Sequence, residues 1–185
     1  AKGYKGFLEG DFDYTKIDAK LQNSIRLVGW GTSHFQARMG WVKGKVPYTR
    51  LYNGLGSFRT LAAIARNSFE TMGYNEFLSD RHFSFFFTHD FGRLHIRELN
   101  KQPSFEMSHN FGFGWLRNPE EHDLAFKTME KGFFESGVFM NNIIVLPLPA
   151  VSIGLGAGVF TRYGNYRFAD PADNLVFKLA IDFQL

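Results

Sequence analysis

The chain has 185 residues, enough for one domain of ordinary size, and it contains no cysteine, which excludes disulfides and thiolate metal sites. Its 21 Lys and Arg residues exceed its 18 Asp and Glu residues too slightly to indicate a nucleic-acid partner. It has 22 Phe residues although its mean hydropathy is slightly negative. This composition suits strands in which every apolar residue has a polar neighbour.

Apolar and polar residues alternate along almost the whole chain, which is the pattern of β-strands with two different faces. The pattern predicts about eight strands, which in chain order cover residues 8–14, 21–27, 35–41, 82–91, 105–115, 126–144, 151–163 and 175–185. Most reach the ~9–11 residues that a tilted strand needs to cross a bilayer. We therefore predict an all-β chain that forms a transmembrane antiparallel β-barrel.

The stretch HFSFFFTHDFG, residues 82–92, shows the alternation most clearly. One face of this strand is aromatic and is predicted to contact lipid, through Phe83, Phe85, Phe87 and Phe91. The other face is mostly polar and is predicted to line the lumen, through Ser84, Thr88 and Asp90.

The predicted connections are of two kinds. Residues 31–33 and 146–150 are short, whereas residues 43–81, 116–123 and 164–174 are longer and rich in Gly, Pro, Asn and charge. Short turns on one side and long loops on the other are typical of outer-membrane barrels. Three aromatic residues end strands that run toward the long-loop side, and they fit an interfacial girdle. They are Trp41, Trp115 and Tyr163.

A soluble barrel also alternates, but its apolar face points inward. The alternative is therefore a small closed barrel that binds an apolar ligand in its interior. The number of large rings on the apolar face favours the membrane barrel, because a small soluble barrel has limited room for them.

Four segments together resemble an uncharacterised outer-membrane protein family of Bacteroidota. They are GWVKGKVPYTRLYNGLGSF (40–58), SFETMGYNEFLSDRHFSFFFTHDF (68–91), MEKGFFESGVFMNNII (129–144) and GAGVFTRYGNYRF (156–168). The resemblance covers about the last three quarters of the chain and implies the C-terminal barrel of a protein with an N-terminal carboxypeptidase-regulatory-like domain. Residues 93–102 are shorter than the family's usual insertion.

More distantly, the chain is similar to the barrel superfamily of outer-membrane assembly and two-partner secretion, whose barrels have sixteen strands. In that superfamily a long loop folds back into the lumen and carries an Arg-Gly tip. The 43–81 loop occupies the corresponding place, and Arg59 matches the tip arginine, although Thr60 replaces the glycine. The resemblance implies that residues 1–185 are the C-terminal half of a sixteen-strand barrel. The other strands, a periplasmic domain and a signal peptide would then lie upstream.

Candidates for chemistry are few. His82 and Ser84 lie two residues apart on one strand face, and an outer-membrane acyl hydrolase could use such a pair, but no nucleophile elbow or orienting third group accompanies them. The remaining histidines are scattered, and the acidic cluster 120–123 is explained equally well by a surface loop. No catalytic residue, metal site or cofactor is therefore predicted. Glycines 154, 156 and 158 are predicted to leave room for an inserted loop.

The last strand, NLVFKLAIDFQL, alternates up to the C-terminus and resembles the recognition signal that outer-membrane barrels present to the assembly machinery. Its predicted signal residues are Phe177, Leu179, Ile181, Phe183 and Leu185, with Leu where such signals usually end in Phe. An unpaired edge strand of this kind is suited to strand addition.

These observations predict a non-enzymatic integral outer-membrane protein, an assembly, secretion or transport component whose lumen is plugged by the 43–81 loop. Its expected partners are the bilayer of the bacterial outer membrane and, during insertion, the assembly machinery; no nucleic acid is expected. The alternatives are the closed ligand-binding barrel and the acyl hydrolase.

Overall fold

The strands of the protein form one antiparallel sheet in chain order. The structure is a computed structural model that describes residues 2–3, 13–44, 46–57, 67–93, 103–119, 127–147 and 152–184. The strands are β1 (Lys2–Gly3), β2 (Tyr14–Leu27), β3 (Gly31–Gly44), β4 (Arg81–Arg93), β5 (Ser104–Trp115), β6 (Phe133–Pro147), β7 (Ser152–Tyr163) and β8 (Leu175–Gln184). Three single 3-10 turns, Tyr48–Arg50, Gly164–Tyr166 and Ala172–Asn174, are among the connections. The predicted all-β class is confirmed.

The largest difference from the predicted strands lies near the N-terminus. The predicted strand 8–14 lies outside the described residues except for its end, and β2 is twice as long as the predicted 21–27 strand. The predicted turn at 31–33 is wrong, because these residues begin β3. The chain reverses at residues 28–30 instead, where Gly29 takes the left-handed φ of 79° that glycine adopts without a steric penalty.

The described strands do not close into a barrel. β1 pairs only with the start of β2, through Lys2 with Thr15 and Gly3 with Tyr14, and β8 pairs only with β7. This open arrangement is what the half-barrel hypothesis expects. The sixteen-strand barrel itself stays a prediction. Within the described residues, no helix is long and apolar enough to span a bilayer.

In a water-soluble protein the apolar face of a sheet is buried, whereas here the polar face is buried and the apolar face is exposed. We call the face that carries Phe83, Phe85 and Phe87 the outer face and the opposite one the inner face. On the outer face, Leu21 is 73% exposed and Phe177 is 64% exposed. On the inner face, Ser84 and Glu135 are completely buried. The polar face is thus the covered one.

The cover on the inner face comes from the long connection between β3 and β4. Because β3 continues to Gly44 and β4 begins at Arg81, this connection is slightly shorter than the predicted 43–81 loop. Its described parts, residues 46–57 and 67–80, are called the inner loop below. The loop packs on the polar face, whereas the lumen that this loop was expected to plug stays a prediction.

Aromatic residues form continuous rows across the outer face. Phe35 of β3 pairs with Phe87 of β4, and Phe85 of β4 pairs with Phe111 of β5, with stacked rings 5.2 Å apart. The row nearest the inner-loop end is Trp41, Arg81 and Trp115. Rows of this kind result from pairing strands of period two in register.

Candidate functional site

The inner loop has regular hydrogen bonding of its own. Tyr52 and Ser79 exchange two backbone hydrogen bonds of 2.9 and 3.0 Å, so the two ends of the loop are held together. The Ser57 N–H donates to the carbonyls of Phe69 and Met72, both at 3.0 Å, which joins its two described parts. The loop therefore meets the sheet as an ordered element.

One carboxylate on β6, that of Glu135, accepts hydrogen bonds from the inner loop. The backbone N–H groups of Glu70 and Thr71 donate to the two Glu135 oxygens at 3.0 and 2.9 Å. The Thr71 hydroxyl donates at 2.7 Å, and the Asn110 amide on β5 donates at 2.8 Å. Four donors therefore satisfy this buried carboxylate, as a charge in a dry site requires.

Two buried cations on the last strands bind carboxylates of the loop. Lys178 Nζ of β8 lies 3.2 Å from Glu70 Oε2 and donates to Ser57 Oγ at 3.1 Å. Arg162 Nη2 of β7 lies 3.0 Å from Glu76 Oε1. Breaking a buried pair by removing one partner is strongly destabilising, so these pairs fix the position of the loop over β7 and β8.

The other side of the loop is attached to β2 through Tyr52 and through the Arg50 carbonyl, which accepts a bond from Lys16 Nζ at 3.1 Å. The Tyr52 hydroxyl donates to Asp18 Oδ1 at 2.7 Å, and its ring lies 4.2 Å from the His82 ring. Gly40 permits this approach, because a Cβ there would lie 2.3 Å from Tyr52 Cζ. Lys16 Nζ lies over the same ring, 3.9 Å from its centroid. Tyr52 thus joins the loop to three adjacent strands.

An apolar cluster lies between the loop and the middle of the sheet. Phe69, Met72 and Phe77 of the loop pack with Phe86 of β4 and with two residues around the start of β6, Met129 and Phe133. Phe69 lies close above the β5 backbone, since a Cβ on Gly112 would be 2.8 Å from its ring. This glycine on β5 makes room for the loop.

Burial changes the titration of two loop side chains. Burial raises the pKa of Glu70 above its ordinary value, although the charge and hydrogen bond of Lys178 act in the opposite direction. Burial raises the pKa of Tyr52 well above its usual range. The Asp18 carboxylate, which accepts the hydrogen bond of the Tyr52 hydroxyl, adds to this rise. Both shifts follow from docking the loop on the inner face.

A polar cavity of about 580 Å³ lies beside the loop on the inner face. Its lining includes loop residues Asn67, Ser68 and Glu70 and inner-face residues of the strands. The Gln36 side chain, 3% exposed, is part of this lining. The loop therefore covers only part of the polar face.

The sequence-predicted pair His82 and Ser84 does not form a catalytic arrangement. Both lie on the buried inner face, where His82 packs on Tyr52 and Ser84 Oγ has no hydrogen-bond partner among the described residues. A nucleophile needs a base within hydrogen-bond reach. No hydrogen bond between these two side chains is present to activate Ser84.

The three other histidines among the described residues bond to hydroxyls. His34 bonds to Ser24, His89 to Ser33, and His109 to Ser136, each through Nδ1 at 2.8 Å. The described residues contain no group of three or more His, Asp or Glu side chains arranged for a metal. The acidic cluster 120–123 lies outside the described residues.

The predicted lipid-facing and girdle residues all lie on the outer face. Phe83, Phe85 and Phe87 are partly exposed and Phe91 is exposed. Trp41 and Trp115 share a row with Arg81, while Tyr163 pairs with Phe134 further along the strands. Their contact with lipid and with the interface stays a prediction.

The C-terminal residues lie on the edge strand β8. Phe177, Leu179 and Ile181 are exposed on its outer face. The backbone of Phe183 pairs with Ile153, and Leu185 lies outside the described residues, as does the candidate loop tip Arg59.

Gly156 and Gly158 of β7 have a different role from the one predicted. A Cβ on Gly156 would lie 3.1 Å from the Phe139 ring of β6, and a Cβ on Gly158 would lie 2.3 Å from it. Both would also contact the backbone of β6. These glycines therefore make room for a neighbouring strand's phenylalanine. The predicted clearance for the loop is instead provided by glycines on β3 and β5.

Sequence reasoning missed the residues that hold the loop. Glu135, Arg162 and Lys178 are charged residues within strands, and each is at least 98% buried. A charged residue within a strand signals a polar environment, but period alone cannot give its partner.

No family model, curated protein or solved structure matches the chain.

Proposed function

We propose that the chain is the C-terminal part of a non-enzymatic integral β-barrel of the bacterial outer membrane. Its inner loop would occupy the lumen, and its role would be in assembly, secretion or transport across that membrane. The observation that carries this proposal is the inverted burial of the sheet, with a covered polar face and an exposed apolar one. Apolar rows of this extent need an apolar solvent or partner.

The free edges of the sheet support a barrel larger than the described strands. Among the described residues, β2 has no partner on its second edge from Lys16 to Leu27, and the second edge of β8 is also unpaired. Unpaired backbone groups cannot be satisfied in lipid. Further strands from upstream are the proposed partners of these edges, which agrees with the sixteen-strand resemblance.

The alternatives receive less support from the same observations. A closed barrel that holds an apolar ligand would require its apolar rows inside, whereas the inner face carries Glu135, Arg162 and Lys178. An acyl hydrolase would require an activated nucleophile, and His82 and Ser84 do not interact. These observations support the proposal that lipid contacts the outer face and that the loop lies in a lumen.

The proposal is tested by whether the natural protein needs detergent or lipid to stay in solution. We expect the full-length protein to fractionate with outer membranes and to stay monodisperse only in detergent or lipid. Quenching by brominated lipids should reduce the fluorescence of Trp41 and Trp115. A protein that is monodisperse in plain buffer, with no quenching by lipid, would exclude the proposed location.

A further inference from the structure

The polar cavity beside the inner loop has the size and chemistry of a ligand site. Its volume of about 580 Å³ lies within the ~300–1,000 Å³ range of small-molecule sites. Amides and hydroxyls dominate its described lining, among them Gln22, Ser24, Thr88, Ser108 and Asn110. Such groups both donate and accept hydrogen bonds.

The residue that points most directly to a ligand is Gln36. Its side chain is 3% exposed and lines the cavity, yet neither its amide nitrogen nor its amide oxygen has a hydrogen-bond partner among the described residues. A buried polar group without a partner destabilises the protein, so native proteins rarely keep one without a function. A ligand that offers both a donor and an acceptor would satisfy it.

The charge of the lining restricts the class of ligand. Asp90 and Glu106 contribute carboxylates, whereas the Glu70 carboxyl pairs with Lys178, and none of the described lining residues is Lys or Arg. Phosphorylated or sulfated ligands would be repelled. The lining therefore selects an uncharged ligand that is rich in hydrogen-bonding groups.

An irregularity in β6 supports a site at this position. The pairing of β6 with β7 shifts between Met140 and Ile144, and Asn141 and Asn142 at the shift both line the cavity. Asn141 donates to Glu106 at 2.6 Å, whereas Asn142 Oδ1 has no partner among the described residues. Bulges are frequent next to functional sites, where they redirect side chains.

We propose that this cavity binds a neutral saccharide. Sugar hydroxyls donate and accept, which matches Gln36 and the surrounding amides, and the rings of Phe86, Phe139 and Phe160 in the lining provide apolar surface for a sugar ring. The inference goes beyond the proposed membrane function and does not rest on it. The cavity belongs to the inner face, whatever solvent the outer face contacts.

The test is calorimetric titration of the full-length protein with maltohexaose and with chitohexaose, and with a sulfated heparin hexasaccharide as the charged comparison. We expect at least one uncharged hexasaccharide to bind saturably and the sulfated one not to bind. Gln36→Leu should weaken the binding about tenfold or more, because it removes the unpartnered amide. The control Met39→Leu lies on the outer face of the same strand and should leave the affinity unchanged.

Folding can be followed separately in the same samples. Gln36→Leu should not lower the melting temperature, because the amide has no protein partner among the described residues to lose. Lack of saturable binding by either uncharged saccharide would overturn the proposal, as would equal binding by the Gln36→Leu protein. Binding of the sulfated hexasaccharide as tightly as the uncharged ones would overturn the neutral class. None of these outcomes depends on detergent behaviour, so failure here is distinct from failure of the membrane proposal.

Discussion

Glu135 accepts hydrogen bonds from two backbone N–H groups, one hydroxyl and one amide, and all four donors require an acceptor. Replacement by glutamine keeps the shape but turns one acceptor into a donor. We expect Glu135→Gln to lower the free energy of unfolding by about 1–3 kcal/mol, the usual cost of a buried unsatisfied group. Denaturant unfolding from detergent micelles would measure this loss.

The matched control is Glu130→Gln, at an exposed position five residues earlier in the chain. It should change stability by less than about 0.5 kcal/mol, as surface substitutions usually do. Equal stability of the two variants would show that the Glu135 carboxylate does not hold the loop.

The two faces of β4 should differ in their tolerance of charge. Ser84 is completely buried beside Gly112 and the loop, so aspartate there would be costly for reasons unrelated to lipid. The informative pair is Phe85→Asp on the outer face and Thr88→Asp beside the inner cavity. We expect Phe85→Asp to reduce stability in lipid vesicles more, although by less than the about 2–4 kcal/mol reported for Arg or Lys at a bilayer midplane.

Urea unfolding from vesicles would compare these two variants. The same substitutions in a protein refolded in detergent would show whether the penalty follows the solvent of the outer face. If Thr88→Asp costs as much as Phe85→Asp in vesicles, the assignment of lipid to the outer face is wrong.

The raised pKa of Glu70 gives the loop a pH dependence with a definite sign. With its pKa raised by burial, docked Glu70 retains its proton at pH values where exposed Glu70 would lose it. The docked state then binds more protons, so docking weakens as pH rises from the ordinary value toward and through the raised one. We expect the melting temperature to fall over this window and the fall to be smaller in Glu70→Gln.

Glu135 and Lys178 lie next to Glu70, so the measurement needs a reference for the general effect of pH. Glu130→Gln supplies it and should reproduce the parent profile. A Glu70→Gln profile that matches the parent would assign the pH dependence to another group.

At the scale of elements, the Tyr52 hydroxyl is one of the contacts that hold the inner loop to β2, beside the bond that Lys16 Nζ donates to the Arg50 carbonyl. Tyr52→Phe keeps the ring over Gly40 but removes the donor to Asp18. Hydrogen bonds to charged groups contribute about 1.5–3 kcal/mol, and partial exposure of this pair places the expected loss at the lower end. We expect faster proteolysis within residues 46–57. Tyr48→Phe is the control, because Tyr48 is 55% exposed in the same loop.

The strands were more predictable from sequence than the contacts of the loop. Apolar and polar residues alternate because the two faces of a strand contact opposite environments. The sequence alone was therefore enough to assign Phe83, Phe85 and Phe87 to one face. The ion pair of Lys178 with Glu70 joins residues 108 positions apart, and no local pattern encodes such a partner. The turn at residues 28–30 was misplaced because Val28 and Trp30, flanking Gly29, resemble strand residues.

At the scale of the whole molecule, the sheet has more hydrogen-bonding capacity at its edges than the described strands use. If upstream strands complete the barrel, the edge amides of β2 and β8 should be protected from hydrogen exchange in the natural protein as strongly as those of β4. Exchange mass spectrometry in detergent would measure this. Rapid exchange along both edges would contradict a closed barrel.

The inverted burial of the sheet also has a consequence for biogenesis. In water the exposed apolar outer face would aggregate with other apolar chains before its strands had paired. The inner loop, its ion pairs and the Glu135 contacts lie on the opposite face and cannot cover it. Because the docked loop contacts several strands, it cannot dock before those strands have paired. If the proposed membrane location is right, the outer face has to be covered until it contacts lipid. Under the outer-membrane proposal, a periplasmic chaperone that binds the Phe rows is therefore the partner we expect before insertion.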